Sequence, residues 1–192
     1  MQQLRQIFSL LLRTDVINMS SEIIHNLVRR SQKGDADAFG ELYSLYANEM
    51  YRFAYYYTSS SHFAEDAVSE AVLSAFQKIR TLKRAESFKA WMFKILFNCC
   101  KKKQKEKAML LKQTEISALD GFVSNEESYH EKVELNKALM QLSDEEREIV
   151  LLSFACGYKS EEIGEMLGLK AATVRSKLSR AVQKIRSMMV NI

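Results

Sequence analysis

The residues of this chain that are best suited to do chemistry form a basic face near the carboxyl terminus. Residues 169–192 contain six Lys or Arg and no acid, whereas residues 143–165 contain seven acids and two bases. With about 100° per residue, one side of a helix here is apolar: Val174, Leu178, Ala181 and Ile185. The other side carries hydroxyls and cations, with Arg175 at its flank: Thr173, Ser176, Lys177, Arg180 and Lys184. Cations bind phosphates and hydroxyls contact base edges, so this face predicts binding to duplex nucleic acid. The alternative is a basic helix that is merely solvated.

A second face of this kind lies in the first half of the chain. Its inward stripe is predicted to be Phe88, Met92, Ile95 and Cys99, and its outward side is Trp91, Lys94, Asn98, Lys101 and Lys105. Unpaired bases stack on aromatic rings while lysines bind the phosphates, so the outward side predicts binding to single-stranded nucleic acid. The alternative is that Trp91 belongs to the core and the lysines form a solvated helix end. Phe93 and Phe97 face a third direction, and the sequence does not name their packing partners.

No catalytic or metal-binding constellation accompanies these two faces. The three His are scattered without ligand or triad spacing, and the six Gly form no phosphate-cradling loop. The three Cys, Cys99, Cys100 and Cys156, form neither a disulfide framework nor a Cys-x-x-Cys knuckle. We therefore predict a protein that is not an enzyme, needs no cofactor or metal, and works in the reducing cytoplasm.

Helices must position both faces. The 192 residues include no Pro and only six Gly, and 47% are hydrophobic, which excludes global disorder and disfavours an all-β fold. Apolar residues recur at steps of three and four from Phe39 to Tyr57, with Asp35 as the expected N-cap and serines 59–61 as a break. Glu65 and Asp66 are expected in the first turn of the next helix, near the positive end of its dipole. The apolar stripe of that helix is expected to include Val72 and Phe76. The predicted fold class is all-α.

Composition divides the chain into two small helical domains. Residues 101–112 hold six Lys and one acid, residues 115–134 hold six acids and one Lys, and the apolar period fades between them. We predict an N-terminal extension over residues 1–20, a helical domain over 21–105, a linker over 106–134 and a second helical domain over 135–192. Two interpretations of the extension stay open: an amphipathic helix, or a translation start at Met19. No apolar run approaches the ~20 residues of a membrane helix, so no membrane insertion is expected.

The second half follows the order of a helix-turn-helix. Ser143 and Glu146 fit a capping box, and the helix that they start is expected to reach Gly157. Ser160 then opens a short helix that Gly168 ends, and the basic helix follows. A short helix, a Gly-containing turn and a longer basic helix are typical of the motif. The alternative is an αα-hairpin that binds nothing.

Taken together, these segments resemble the extracytoplasmic-function (ECF) class of bacterial RNA polymerase sigma factors, the minimal two-domain class of the sigma-70 family. Three segments are similar to sigma region 2: Gly34 to Tyr43, Ala64 to Glu70, and Phe88 to Asn98. Three more are similar to region 4: Leu139 to Arg147, Tyr158 to Ile163, and Thr173 to Ala181. The resemblance covers roughly residues 25–190, and the order and spacing of the segments carry it.

The resemblance implies a function, partners and roles for particular residues. The implied function is to bind core RNA polymerase and direct promoter-specific transcription initiation. The clamp of the largest polymerase subunit would be bound by Glu65, Asp66 and Glu70, and region 4 would hold the flap of the second-largest subunit. The −10 element of promoter DNA would be melted and held by Lys83, Arg84, Trp91, Lys94, Asn98 and Lys101. The −35 element would be contacted by Thr173, Arg175, Ser176, Lys177, Arg180 and Lys184. Many relatives are held inactive by an anti-sigma factor.

Three positions depart from the family pattern. Ser69 stands where members often carry Gln, Lys102 stands where they often carry Asp, and the turn at 170–172 lacks the usual Pro or Gly. Two other functions stay open. One is a stand-alone helix-turn-helix transcriptional regulator that binds a symmetric operator without polymerase. The other is an interaction module that binds polymerase but no promoter.

Overall fold

The computed structural model describes residues 21–113, residue 135 and residues 137–189. These residues fall into two compact units, 21–113 and 135–189. Within them every regular element is a helix and none is a strand, which confirms the predicted all-α class. The predicted extension over 1–20 and most of the predicted linker lie outside the described residues.

Four α-helices form the first unit: α1 (Ser21–Gln32), α2 (Ala36–Thr58), α3 (Ser61–Lys78) and α4 (Phe88–Gln113). α2 begins at its predicted cap, where the Asp35 side chain accepts a hydrogen bond from the Ala38 amide. It ends at Thr58, and the capping residue Ser59 that follows has a left-handed φ of 54°. A non-glycine residue in this region breaks the helix, so the serine run separates α2 from α3 as predicted.

α3 begins earlier, and buries a narrower stripe, than the sequence predicts. Because it starts at Ser61, Glu65 and Asp66 lie beyond its first turn, and the expected contact with the helix dipole is wrong. Phe76 exposes 37% of its surface and Val72 is only half-buried. The reason is that small residues fill the buried side of α3, namely Ala64, Ala67, Ala71 and Ala75. The larger apolar residues beside them therefore reach the surface.

Aromatic rings from α2 and α4 form the centre of the first unit. Phe53 packs edge-on against Phe93 with ring centroids 5.8 Å apart, and Tyr57 packs edge-on against Phe97 at 5.7 Å. These are the partners that the sequence did not name. Because Phe93 and Phe97 turn the buried side of α4 toward α2, Ile95 is only half-buried rather than inward as predicted.

α4 continues past the predicted domain boundary at residue 105 and ends at Gln113. The Lys107 ammonium donates hydrogen bonds to the carbonyl oxygens of Thr58 and Ser59, at 2.8 and 3.1 Å. These carbonyls belong to the end of α2, which has no further helical partner for them. This bond ties the later turns of α4 to the first unit. The domain boundaries over 106–134 stay predictions.

The second unit contains α5 (Asp144–Phe154), α6 (Ser160–Leu167) and α7 (Ala171–Met189), preceded by a helical segment at 137–140. The predicted capping box is present, because Ser143 and Glu146 each accept a hydrogen bond from the other's amide. α5 ends at Phe154 and not at Gly157. Gly157 has a φ of +73°, so this glycine serves the turn after the helix rather than its end.

The turn between α6 and α7 is tight. Gly168, with a φ of +71°, ends α6 as predicted, and the Leu169 amide donates to the Gly164 carbonyl at 2.8 Å. A Cβ atom on Gly164 would lie 2.5 Å from the Leu169 carbonyl oxygen. Only glycine allows this close approach, which sets how α7 leaves α6.

Candidate nucleic-acid interface

One face of α4 carries four of the residues predicted to hold a single strand. Lys94 and Asn98 are exposed, and Trp91 and Lys101 are half-buried. The Trp91 ring centroid lies 6.1 Å from that of Phe88, and Lys101 Nζ lies 5.4 Å from the Phe97 centroid. These contacts with core rings orient the indole and the ammonium. The structure therefore brings the four residues together on one accessible face.

The loop before α4 adds two exposed cations. It joins a 3-10 turn at Ile79–Thr81 to a second one at Ala85–Ser87. Lys83 and Arg84, also predicted to hold the −10 strand, lie between these turns and are exposed. Arg84 Nε is 3.8 Å from a carboxylate oxygen of Glu86.

The three carboxylates predicted to bind polymerase differ in their surroundings on α3. Glu65 is exposed. Glu70 accepts a hydrogen bond from Lys102 of α4 at 2.8 Å, and Asp66 forms an ion pair with Lys103 at 3.4 Å. The bond to Glu70 raises the pKa of Lys102 above its ordinary value. Lys102, which stands where family members often carry Asp, therefore pairs with Glu70, one of the carboxylates predicted to dock on polymerase.

An apolar groove lies between α2 and α3, beside these carboxylates. It has a volume of about 500 Å³, and its lining includes Phe39, Tyr43, Ser69, Leu73 and Phe76. Phe39 and Phe76 pack edge-on with centroids 5.2 Å apart, and Leu73 is 60% exposed. Sequence reasoning missed this groove. The available signal was Leu73, an apolar residue that lies outside the predicted stripe of α3.

α7 buries Val174, Ala181 and Ile185 as predicted. Leu178 is half-buried, while Val182, which was not predicted, is only 5% exposed. The buried stripe therefore extends to Val182 and otherwise lies where the sequence predicts it.

Three cations of the predicted −35 set are held by acids of neighbouring helices. Lys177 and Lys184 pair with Glu145 and Glu146 of α5 at 2.6 and 2.8 Å, and Arg175 pairs with Glu161 of α6 at 2.8 Å. The hydrogen bond from Lys184 lowers the pKa of Glu146 below its ordinary value. The two lysine pairs tie α5 to α7.

The exposed side of α7 keeps part of the predicted set and adds to it. Ser176 and Arg180 are exposed, and Thr173 is half-buried. Ser179 and Gln183 share this exposed side and were missed by sequence reasoning. With about 100° per residue, both lie opposite the predicted apolar stripe, so a complete helical wheel would have included them.

The remaining sequence predictions concern cysteines, metals and membranes. Burial raises the pKa of the Cys99 and Cys100 thiols, which disfavours their reactive thiolate forms. Among the described residues there is no group of three or more side chains able to hold a metal ion. None of the described helices has both the length and the apolar character needed to cross a membrane.

Known sigma factors match both units. The family model for Sigma-70 region 2 matches residues 42–108, and the model for Sigma-70, region 4 matches residues 132–185. The ECF RNA polymerase sigma factor BldN of Streptomyces coelicolor is 30% identical over 184 residues, which cover 92% of this chain and 70% of BldN. The ECF sigma factor SigW of Bacillus subtilis is 24% identical over 87% of this chain and 97% of SigW.

Solved structures share the fold. The structure of CnrH in complex with the cytosolic domain of CnrY has a TM-score of 0.62 at 19% identity, covering 90% of this chain and 99% of CnrH. The sigma factor RpoE of Bartonella quintana, in complex with the anti-sigma factor NepR, has a TM-score of 0.62 at 22% identity, covering 79% of this chain and 96% of RpoE. Since both region models match in order and BldN aligns along nearly the whole chain, the protein belongs to the ECF class of the sigma-70 family of RNA polymerase sigma factors.

Proposed function

We propose that the two units of this sigma factor divide the promoter between them. α4 and the loop before it hold the −10 element as a single strand, α7 contacts the −35 element as a duplex, and α3 docks on core polymerase. The observation that carries the proposal is that, within the described residues, α4 and α7 each carry an exposed face with cations, and that the two faces differ in composition. As a sigma factor, the chain is an initiation factor and not an enzyme, since catalysis belongs to the polymerase.

Trp91 is central to the role of α4. Its ring contacts that of Phe88 and its side chain is only half-buried, so part of the indole is accessible for stacking with an unpaired base. Such stacking contributes about 1–3 kcal/mol per base. Lys94 and Lys101 lie one helical turn to either side of Asn98 on the same face, where they can bind the phosphates of the stacked strand. Asn98 supplies an amide for the base edges.

The exposed side of α7 suits a duplex. Arg180 and Ser176 lie at its centre, with Arg175 and Thr173 beside them. A guanidinium can contact guanine or phosphate, and hydroxyls can contact either phosphates or base edges. Lys177 and Lys184 are bound to α5 acids, so they contact phosphate only by exchanging partners. Arg175 is likewise paired with Glu161 of α6, so we assign the larger share of −35 binding to Arg180 and Ser176.

α3 offers a docking surface of mixed character. The exposed carboxylate of Glu65 stands with Glu70 and Asp66 beside the apolar groove that contains Leu73. Acids at the rim and an apolar floor suit a basic, amphipathic helical partner. We assign this surface to the clamp of the largest polymerase subunit. The flap of the second-largest subunit is assigned to the second unit as a whole.

The joined units gain affinity from each other. Once one unit has bound, the other binds as an intramolecular event at a raised effective concentration. Two modest DNA contacts can then give a specific complex, provided that core polymerase holds both units in place.

An anti-sigma factor is proposed as a further partner. RpoE of Bartonella quintana was solved in complex with the anti-sigma factor NepR, and BldN was solved with RsbN. By analogy, a cognate anti-sigma factor would bind this chain and compete with polymerase. The proposed location is the cytoplasm, where core polymerase and promoter DNA are found.

Run-off transcription tests the proposed function. Purified core polymerase, with or without this protein, is incubated with fragments of the host genome. Discrete new transcripts are expected, and their start sites would give the −10 and −35 elements. Absence of new transcripts, together with no co-purification with core, would contradict the proposal. In that case a stand-alone regulator would be favoured, which predicts tight operator binding without polymerase.

A further inference from the structure

α1 makes side-chain hydrogen bonds to the loop that carries Lys83 and Arg84. Gln32, the last residue of α1, donates from Nε2 to the carbonyl oxygens of Leu82 at 2.8 Å and Ile79 at 3.2 Å. In return, Arg80 Nε donates to the backbone carbonyl of Gln32 at 3.2 Å. One amide group thus bonds two consecutive parts of the loop, 47 and 50 residues away in sequence.

A second contact holds the far end of the same loop. His25 Nε2 lies 3.1 Å from a carboxylate oxygen of Glu86, and His25 Nδ1 lies 3.0 Å from the carbonyl oxygen of Ser21. Glu86 follows the exposed pair Lys83 and Arg84 by only two residues. The other oxygen of its carboxylate faces Arg84 at 3.8 Å.

The two contacts come from one face of α1. His25 and Gln32 are seven residues apart, about two helical turns or roughly 10 Å, so they lie on the same side of the helix. Gln32 binds the start of the loop and His25 binds its end. Lys83 and Arg84 are therefore held between two fixed points on a rigid helix.

Within the loop, the Leu82 amide donates to the Ile79 carbonyl at 3.1 Å and the Ser87 amide donates to the Arg84 carbonyl at 3.0 Å. Leu82 and Arg84 have extended backbones, with ψ of 114° and 120°. Leu82 is buried and anchors the chain, while Lys83 and Arg84 are exposed. The direction in which these two cations leave the surface thus depends on the backbone carbonyls that Gln32 binds.

We propose that Gln32 and His25 are positioning residues for −10 recognition: they hold the loop so that Lys83 and Arg84 meet the −10 strand in one register. The proposal rests on the proposed function and names residues that have no DNA contact of their own. Holding a recognition loop in its bound form lowers the ordering cost of binding and raises discrimination between sequences.

The sharpest variant is Gln32→Glu, which keeps the size of the side chain but replaces the donating amide with an acceptor. The matched control is Gln77→Glu, the same charge change at an exposed glutamine of α3 close to the same loop. His25→Ala tests the second contact, with the exposed His62→Ala as its control.

The assay measures holoenzyme binding to a fork-junction probe that carries the −10 strand mapped from the run-off transcripts, and to probes with single-base changes in it. A wrong base in a specific site typically costs about 1–3 kcal/mol, or roughly 5- to 150-fold. For Gln32→Glu we expect this discrimination to fall to about threefold, while core polymerase affinity is unchanged. His25→Ala should give a smaller loss in the same direction, and both controls should match the wild type.

Hydrogen exchange of the amides of residues 82–87 provides a readout that separates positioning from folding. Exchange should be faster there in Gln32→Glu, with the amides of α2 and the start of α4 unchanged. If exchange rises throughout the first unit, Gln32→Glu has lost its fold. The base discrimination of His25→Ala then decides whether the proposal holds. The proposal would be overturned if the variants that fold discriminated between −10 probes as well as the control variants do. If the wild-type holoenzyme itself gives no transcripts, the proposed function fails instead.

Discussion

The two basic helices of this protein differ in where the chain places its own acids. On α4, Lys94 and Lys101 lie on the proposed DNA face, and within residues 21–113 neither forms an ion pair with a carboxylate. The lysines of α4 that pair with α3 are Lys102 and Lys103, at the flank of that face. On α7, by contrast, residues of the predicted DNA face themselves form ion pairs with acids of neighbouring helices.

This difference shows how charge patterns should be interpreted. A cation at the edge of a buried stripe is within reach of neighbouring helices, and there it can serve packing. Lys177 and Lys184 flank the buried stripe of α7 and meet α5 acids. A cation opposite the stripe, such as Arg180, is exposed, and its Nε donates to a carbonyl of its own helix, that of Ser176, at 3.4 Å. On α4 the proposed face is opposite the stripe, so its cations stay available.

The largest effect is expected for Trp91→Ala, because α4 has a single indole for stacking. Loss of about 1–3 kcal/mol of stacking should slow open-complex formation by roughly 5- to 150-fold and leave closed-complex binding nearly unchanged. Stopped-flow fluorescence of a base analogue in the −10 element would measure both steps. Trp91→Phe, which keeps a ring, should recover part of the rate. Equal loss in both steps would instead indicate that Trp91 serves only the core.

The second-largest effect is expected on binding of α7 to the −35 duplex, where Arg180 and Lys177 should differ. Arg180→Ala should weaken binding to a −35 duplex by about 1–3 kcal/mol, whereas Lys177→Ala should cost under threefold in affinity, or less than about 0.7 kcal/mol. Holoenzyme binding to a −35 duplex at fixed salt measures both. A larger loss of affinity for Lys177→Ala than for Arg180→Ala would contradict this assignment of roles on α7.

Substitutions at the two partners of the Glu70–Lys102 ion pair should change the affinity for core polymerase in opposite directions. Glu70→Lys should weaken binding to core polymerase, because it reverses the charge of a docking residue. Lys102→Gln should strengthen binding only slightly, because it frees Glu70 from an exposed ion pair, and such pairs are screened by solvent. Pull-down titration with core polymerase checks both. A weaker complex for both variants would argue that the pair only stabilises the fold.

The smallest effect concerns pH and the α5–α7 contact. The pKa of Glu146 is lowered mainly by its hydrogen bond from Lys184. A carboxyl with a depressed folded pKa adds stability above its unfolded pKa, near 4.5, and loses it as pH falls through the folded value. Glu146→Gln should therefore lower the melting temperature of the second unit at pH 7 and make little difference well below pH 4.5. A constant difference at every pH would show that the charge is not involved.

The sequence predicted the helices, the Asp35 cap and the Ser143–Glu146 capping box, because these depend on residues close together in the chain. The residues predicted on the outward side of α4 are exposed or half-buried, because the helical period alone decides this. The sequence could not predict the groove beside Leu73 or the ion pairs of α7 with α5 and α6, because both depend on which neighbouring helix supplies the contact.

The division of the promoter between α4 and α7 is tested most directly by permanganate footprinting of holoenzyme on a mapped promoter. Wild type, Trp91→Ala and Arg180→Ala are compared at concentrations that saturate promoter binding. We predict reactive, unpaired thymines in the −10 element for wild type and Arg180→Ala, and a strongly reduced footprint for Trp91→Ala. An unaltered footprint for Trp91→Ala, or its loss in a saturated Arg180→Ala complex, would contradict the account.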